Sequence, residues 1–404
     1  MANKTTEGDK PIIIFDGWRS LSIAIFMALV GYTVMVSVPV LSTALVAMVG
    51  FSEVQVGRIW GADLGGFSAG AILSAFLVAR INRRKLVLFG VLLSVVGNGA
   101  CMVLVDYDQV LWLRAMAGVG SGIFTAVAVV SLGGTTNPVR AFNVLLFGFA
   151  ISTALLLHFL PQLEMNQIFL LFIVLALLCA VLVKWLPSRP LNAEELAHQE
   201  QIEEVDENWR VPSYFPVICL IAVCFTYINI GGYYTYIELA ALADGVAQDL
   251  IGPALTSASL FAMVGCAIAF FCVRFGLFKP LFCSLFLMGV IVAMLAGGIG
   301  NINIIVSLFA FMTLWTFIDI FQSGMLSHMD RKGSLVALLP SVQGFGQFIG
   351  PNVAASALEF GFGYSGVFLV SGAMSIVAMV IYLGIYVYMR RHQSAVPVVA
   401  CVPQ

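Results

Sequence analysis

A chain of 404 residues that is 61% hydrophobic and only 10% charged cannot clothe a water-soluble surface, because soluble domains carry about 25% charged residues. Lipid is the solvent that suits it, and with a net charge of -2 the placement of charge is more informative than its sum. A nucleic-acid binder is excluded, since the sequence has no basic patch with interleaved aromatics.

Twelve apolar runs follow one another, at 20–47, 55–79, 86–105, 109–132, 139–160, 166–187, 214–241, 250–273, 280–300, 303–327, 334–358 and 364–389. A helix needs about 20 apolar residues to cross about 30 Å of hydrocarbon. A barrel strand needs about half that length, and an open sheet edge does not survive in lipid. The spacing therefore predicts an all-α membrane protein of twelve transmembrane helices. The first ten residues are polar and the first run is long enough for a full span, so it reads as a helix rather than a cleavable signal. The eight cysteines form no C-x-x-C pair and read as small apolar residues, with no disulfide or metal site expected.

Charge placement orients the helices. With the N-terminus inside, all of the 19 basic residues except Arg58 and Arg114 fall in cytoplasmic connectors or termini. The outer connectors carry Glu53, Asp106, Asp108, Glu164, Asp244, Asp249 and Glu359 instead. Basic residues resist translocation, so this bias predicts an even number of spans with both termini cytoplasmic. One connector is long and acidic, with Glu194, Glu195, Glu200, Glu203, Glu204, Asp206 and Glu207 between Pro187 and Pro212. The expected organisation is an N-terminal six-helix bundle over 1–187, an acidic cytoplasmic linker over 188–213 and a C-terminal six-helix bundle over 214–404. The two halves repeat weakly: the basic segment Arg80–Lys85 after the second run has a counterpart, Arg274–Lys279, after the eighth. Parallel six-helix repeats about an axis along the membrane normal are a transporter architecture.

Two motifs give this pattern a family resemblance. After the second run, Ala75-Phe-Leu77-Val-Ala79-Arg80-Ile-Asn82-Arg83-Arg84 stands where the major facilitator superfamily has G-x-L-A-D-R-x-G-R-R. The basic residues match, Ala79 replaces the Asp, and Asn82 replaces the Gly with a residue that tolerates a left-handed turn. In the fourth run, Arg114-Ala-Met-Ala-Gly118-Val-Gly120-Ser-Gly122 is similar to the family pattern R-x-x-Q-G-x-G. The resemblance implies two six-helix halves, alternating access, a cavity lined by helices one, four, seven and ten, and an association of Arg114 with proton coupling. It makes Arg80, Asn82, Arg83 and Arg84 the cytoplasmic gate loop. The G-P-x-x-G-G signature of the family's drug/proton antiporters is absent from the fifth run, which reads Phe147-Gly-Phe-Ala-Ile-Ser-Thr-Ala.

Ionisable side chains inside the runs are the best site candidates, since each costs roughly 2.5–3.5 kcal/mol to insert at mid-membrane. The plain alternative is a satisfied structural pair between helices. Asp63 lies about eight residues into the second run and Arg114 about five into the fourth; at about 1.5 Å per residue they reach similar depth. Their expected role is proton coupling, with Asp63 titrating and Arg114 as its partner. Asp319, with Trp315 and Gln322 on its helical face, is expected to bind substrate. Tyr227, Asn229 and Tyr233 in the seventh run, Gln343 and Gln347 in the eleventh and Tyr32 in the first complete the expected substrate contacts. The pair Gly231-Gly232 invites a local helix break. Tyr236 and Glu238 read as an outer rim, Arg58 as snorkelling outward, and His158 as interfacial.

No phosphate-binding G-x-x-x-x-G-K-S/T loop, metal cluster or nucleophile elbow occurs, so neither an ATPase nor an enzyme is expected, and no cofactor. The expected function is proton-coupled secondary transport of a small organic solute, with import favoured because the antiporter signature is missing. An efflux antiporter and a non-transporting sensor or scaffold on the same fold are the alternatives. Partners are then the solute, protons and the bilayer, with a monomer expected. Short outer loops without a glycosylation sequon point to a bacterial inner membrane.

Overall fold

A computed structural model describes residues 17–78, 80–135, 138–188, 214–329, 335 and 338–392. The acidic linker lies outside these residues, as do Ala79, Arg331 and Lys332. Among the described residues the chain forms thirteen α-helices and no strand. They are α1 (Trp18–Ala44), α2 (Glu53–Leu77), α3 (Arg83–Cys101), α4 (Tyr107–Gly133), α5 (Pro138–Phe159), α6 (Met165–Leu182), α7 (Phe215–Ala243), α8 (Gln248–Leu260), α9 (Ala262–Cys272), α10 (Phe278–Ala293), α11 (Asn301–Met329), α12 (Leu339–Glu359) and α13 (Gly363–His392).

Eleven segments are long and apolar enough to cross a membrane, α8 and α9 counting as one. This makes the chain a multi-pass membrane protein. Large side chains such as Phe76, Trp112, Phe270, Phe271 and Ile302 stand exposed on the outside of the helices, where lipid accommodates them. The run expected as one helix over 250–273 is interrupted at Phe261, and Pro253 inside α8 removes a further backbone donor.

Local signals set the helix ends. A single turn of π-helix, Leu45–Val49, extends α1 and closes on Gly50, whose φ of 84° suits a residue without Cβ. Ser52 and Gln55 then form a capping box that starts α2. Asn82 caps α3 by accepting a hydrogen bond from the Arg84 amide. Its φ is -57°, so the left-handed turn expected there does not form; an Asx cap does the same work with ordinary backbone.

Small residues decide which helices touch. A Cβ on Gly118 or Gly122 of α4 would meet the backbone oxygens of Asp63 and Phe67, and one on Gly66 or Gly70 of α2 would meet those of Ala115 and Val119. The two backbones are thus interlocked over two turns, the close approach that small-xxx-small spacing permits. Helix α12 is wedged between α2 and α7 in a similar way. Gly61 faces Asn352, and Gly350 faces the Ile228 carbonyl. The predicted break at Gly231-Gly232 is absent, and α7 runs unbroken from Phe215 to Ala243. Gly231 instead admits the Gln347 backbone and Pro351 of α12. A helix sheathed on two sides by protein has little need of apolar residues, which explains why α12 is the one long helix too polar to count among the eleven.

Candidate functional site

Two polar centres sit inside the helices, and a third closes one end. The first joins α2, α3 and α4. Arg114 is 1% exposed and Asp63 2%. The guanidinium donates from Nη2 to Asp63 Oδ2 and from Nη1 to Asn98 Oδ1, the latter at 2.7 Å. It also lies 5.6 Å from the Trp60 ring centroid and 5.7 Å from that of Phe169, cation–π contacts in a dry setting. Asn98 is fixed in turn by its own donation to the Ser94 carbonyl. Beside the pair, Thr33, Ser94, Asn98, Arg114 and Ser121 line a small cavity with room for about one water molecule. Asn98 was not among the sequence candidates; an amide flanked by glycines inside an apolar run was the available signal.

The second centre surrounds Asp319 on α11. Its Oδ1 accepts from the Tyr227 hydroxyl at 3.0 Å and from Gln343 Nε2 at 2.6 Å. Trp315, one turn earlier, points its Nε1 at the Tyr227 oxygen, 3.4 Å away. Tyr32 reaches in from α1, braced against Phe67 and Phe149, and lies within electrostatic range of Asp319. Next to Trp315 a second small cavity is lined from both sides by Met35, Val38, Leu64, Tyr234 and Gln347. Asp319, Trp315, Tyr227, Gln343, Gln347 and Tyr32 therefore gather in one region.

Three other predicted substrate contacts lie elsewhere. Asn229 donates to Ser375, Tyr233 shares a hydrogen bond with Ser307, and Gln322 donates to Thr226. All three side chains are fully buried. They join α7 to its neighbours α11 and α13, because buried amides and hydroxyls in lipid take partners on adjacent helices.

The gate-loop residues also separate. Arg80 is exposed, whereas Arg83 is buried and donates to Ser131 of α4. Arg84 donates to the carbonyls of Leu186 and Lys184, tying the start of α3 to the end of α6.

The third centre lies at the end that carries Glu53, Asp244 and Glu359. Arg58 does not snorkel outward there. It crosses to α12, donating to Asn352, Ser356 and Glu359, the last at 3.0 Å. The Tyr234 and Tyr236 hydroxyls donate to the carbonyls of Val36 and Glu53. Tyr236 and Glu238, expected at a wet rim, are buried, and Glu238 accepts from Gln248. These bonds seal the acidic end between the helices before residue 188 and those after 213.

With this geometry in view, the comparison with known families is decisive. The model of the Major Facilitator Superfamily matches residues 21–351. The chain belongs to that superfamily. As a member, it is a solute transporter and not an enzyme. The crystal structure of a D-xylose-proton symporter is similar at 15% identity and a TM-score of 0.71, covering 90% of this chain and 97% of that one. The nucleoside transporter NupG matches at 12% identity and 0.69, covering 91% and 98%. The human organic anion transporter MFSD10 matches at 12% identity and 0.62, covering 92% and 100%. At such identities the likeness shows the superfamily fold. No curated protein matches the sequence.

Proposed function

We propose that this superfamily member is a proton-coupled secondary transporter that imports a small organic solute by alternating access. The observation that carries the reading is the Asp63–Arg114 pair, buried between interlocked helices. A buried ion pair costs several kcal/mol of desolvation per ion, which a merely structural contact in lipid does not require. Protonating Asp63 leaves Arg114 with a neutral amide as its remaining polar partner. That changes the charge inside the first six helices by one unit and shifts their preferred packing against the rest. The solute binds in the region of Asp319, between the two sides.

In this reading α12 is the twelfth crossing. The halves 1–187 and 214–404 rock about the solute site, joined by the cytoplasmic linker 188–213. Both termini are cytoplasmic, the acidic end faces outward, and the protein acts as a monomer in a bacterial inner membrane. The bonds of Arg58, Tyr234 and Tyr236 then hold the outer gate shut.

Proteoliposomes containing only this chain, given an inward proton gradient and a panel of radiolabelled solutes, test the proposal. Accumulation of one solute that collapses with a protonophore is expected. Solute flux that ignores the proton gradient defeats the coupling. Export driven by the same gradient assigns the antiporter reading, and no flux of any solute assigns a sensor.

A further inference from the structure

The charge and the aromatic surroundings of the Asp319 region name a substrate class. We propose that this region selects an organic cation, a solute bearing a protonated or quaternary amine. This rests on the transporter reading above and adds the chemistry of the cargo.

Four observations carry it. First, the hydrogen bonds to Asp319 come from neutral groups, Tyr227 and Gln343, and both fall on the same oxygen. The other carboxylate oxygen is left to whatever enters. Second, among the described residues no basic side chain lies within ion-pair distance of Asp319. The ion pairs they form are Arg58–Glu359 and Arg114–Asp63. Of the two fully buried cations, Arg114 is engaged by Asp63 and Asn98, and Arg83 donates to Ser131. Third, Asp319 is partly exposed, while the Asp63 pair is sealed. Fourth, the surroundings are aromatic on both sides: Trp315, Tyr227 and Tyr234 after residue 213, and Tyr32 from α1.

A carboxylate without a cation in a low-dielectric site attracts positive charge and repels an anion. Aromatic faces add a cation–π attraction, strongest for Trp and for weakly hydrated ammonium groups. A carboxylate-bearing solute would face Asp319 with no cation to offset it. A neutral solute can hydrogen-bond the free oxygen but leaves its charge without compensation. The cation satisfies both features at once.

The test uses the purified full chain in detergent, with three cations as probes: benzyltrimethylammonium, phenethylammonium and tetraphenylphosphonium. Neopentylbenzene serves as the neutral isostere of the first, and benzoate as the anion. Binding is read by thermal shift and by quenching of tryptophan fluorescence, and transport by uptake into proteoliposomes. At least one cation is expected to bind ten-fold or more tightly than the isostere and benzoate. Asp319→Asn keeps an acceptor for Tyr227 and Gln343, so it is expected to fold and to lose that preference. Trp315→Leu is expected to weaken cation binding about five-fold and to diminish the quenching. Equal or tighter binding of the neutral or anionic probe overturns the proposal, as does unchanged cation selectivity in Asp319→Asn or no cation binding at all. Uptake of a neutral or anionic solute instead leaves the transporter reading standing and refutes only the class. Absence of flux for every solute refutes the transporter reading, while the binding data still decide the class.

Discussion

Asp63 and Asp319 are both held inside the helices, in opposite ways. Asp63 is matched with a guanidinium, capped by aromatic rings and shut from solvent. Asp319 is held by a phenol and an amide, keeps a free oxygen and lies one turn from Trp315, which lines a small cavity between the two sets of helices. A charge that is already paired has nothing left to offer a ligand until a proton unpairs it. A charge that is positioned but not neutralised is an open valence for cargo. In the proposed transporter the same residue type serves two tasks, and the neighbours decide which.

The sharpest way to break this contrast is Asp63→Asn. Wild-type accumulation is expected to rise as the external medium is acidified. The variant is expected to lose gradient-driven accumulation altogether, with uptake flat across pH, while counterflow exchange of labelled for unlabelled solute persists. Normal accumulation by the variant would remove Asp63 from coupling. Next in size is Arg114→Ala, which strands a buried carboxylate and is expected to cost about 3–5 kcal/mol of stability, seen as a large fall in the unfolding midpoint in detergent. Adding Asp63→Asn to it should restore part of that loss. Gly118→Ala pushes a methyl into the Asp63 backbone and is expected to cost about 1–3 kcal/mol, with no rescue by acidification. The smallest effect belongs to Arg58→Gln. Its bridge to Glu359 is partly exposed and is worth at most about 1 kcal/mol. Cysteine labelling at the acidic end should nonetheless increase, because a small bias is enough to repopulate a gate.

Much of this fold was legible in the sequence because lipid demands long apolar runs. The runs from Trp18 to His392 could be placed to within a few residues. Asp63 and Arg114 could be matched by depth, since a helix has a fixed rise. Facing was harder to read. Asn229 and Gln322 look like cavity residues by type, yet their partners Ser375 and Thr226 sit on other helices, and sequence spacing does not say which face turns inward. Gly231-Gly232 reads as a hinge or as a docking groove, and only the arrival of α12 decides between them. Glu238 reads as a rim residue from its closeness to the helix end. Gln248 and the packing around it keep that position dry.

The backbone interlock of α2 with α4 has a further consequence. Two helices in main-chain contact along Gly66, Gly70, Gly118 and Gly122 cannot slide past one another without steric collision. They must turn as a single blade, so no stroke of the transport cycle pulls Asp63 and Arg114 apart by shear. In the proposed cycle the latch between them therefore opens chemically rather than mechanically, by a proton that needs no corridor wider than a water.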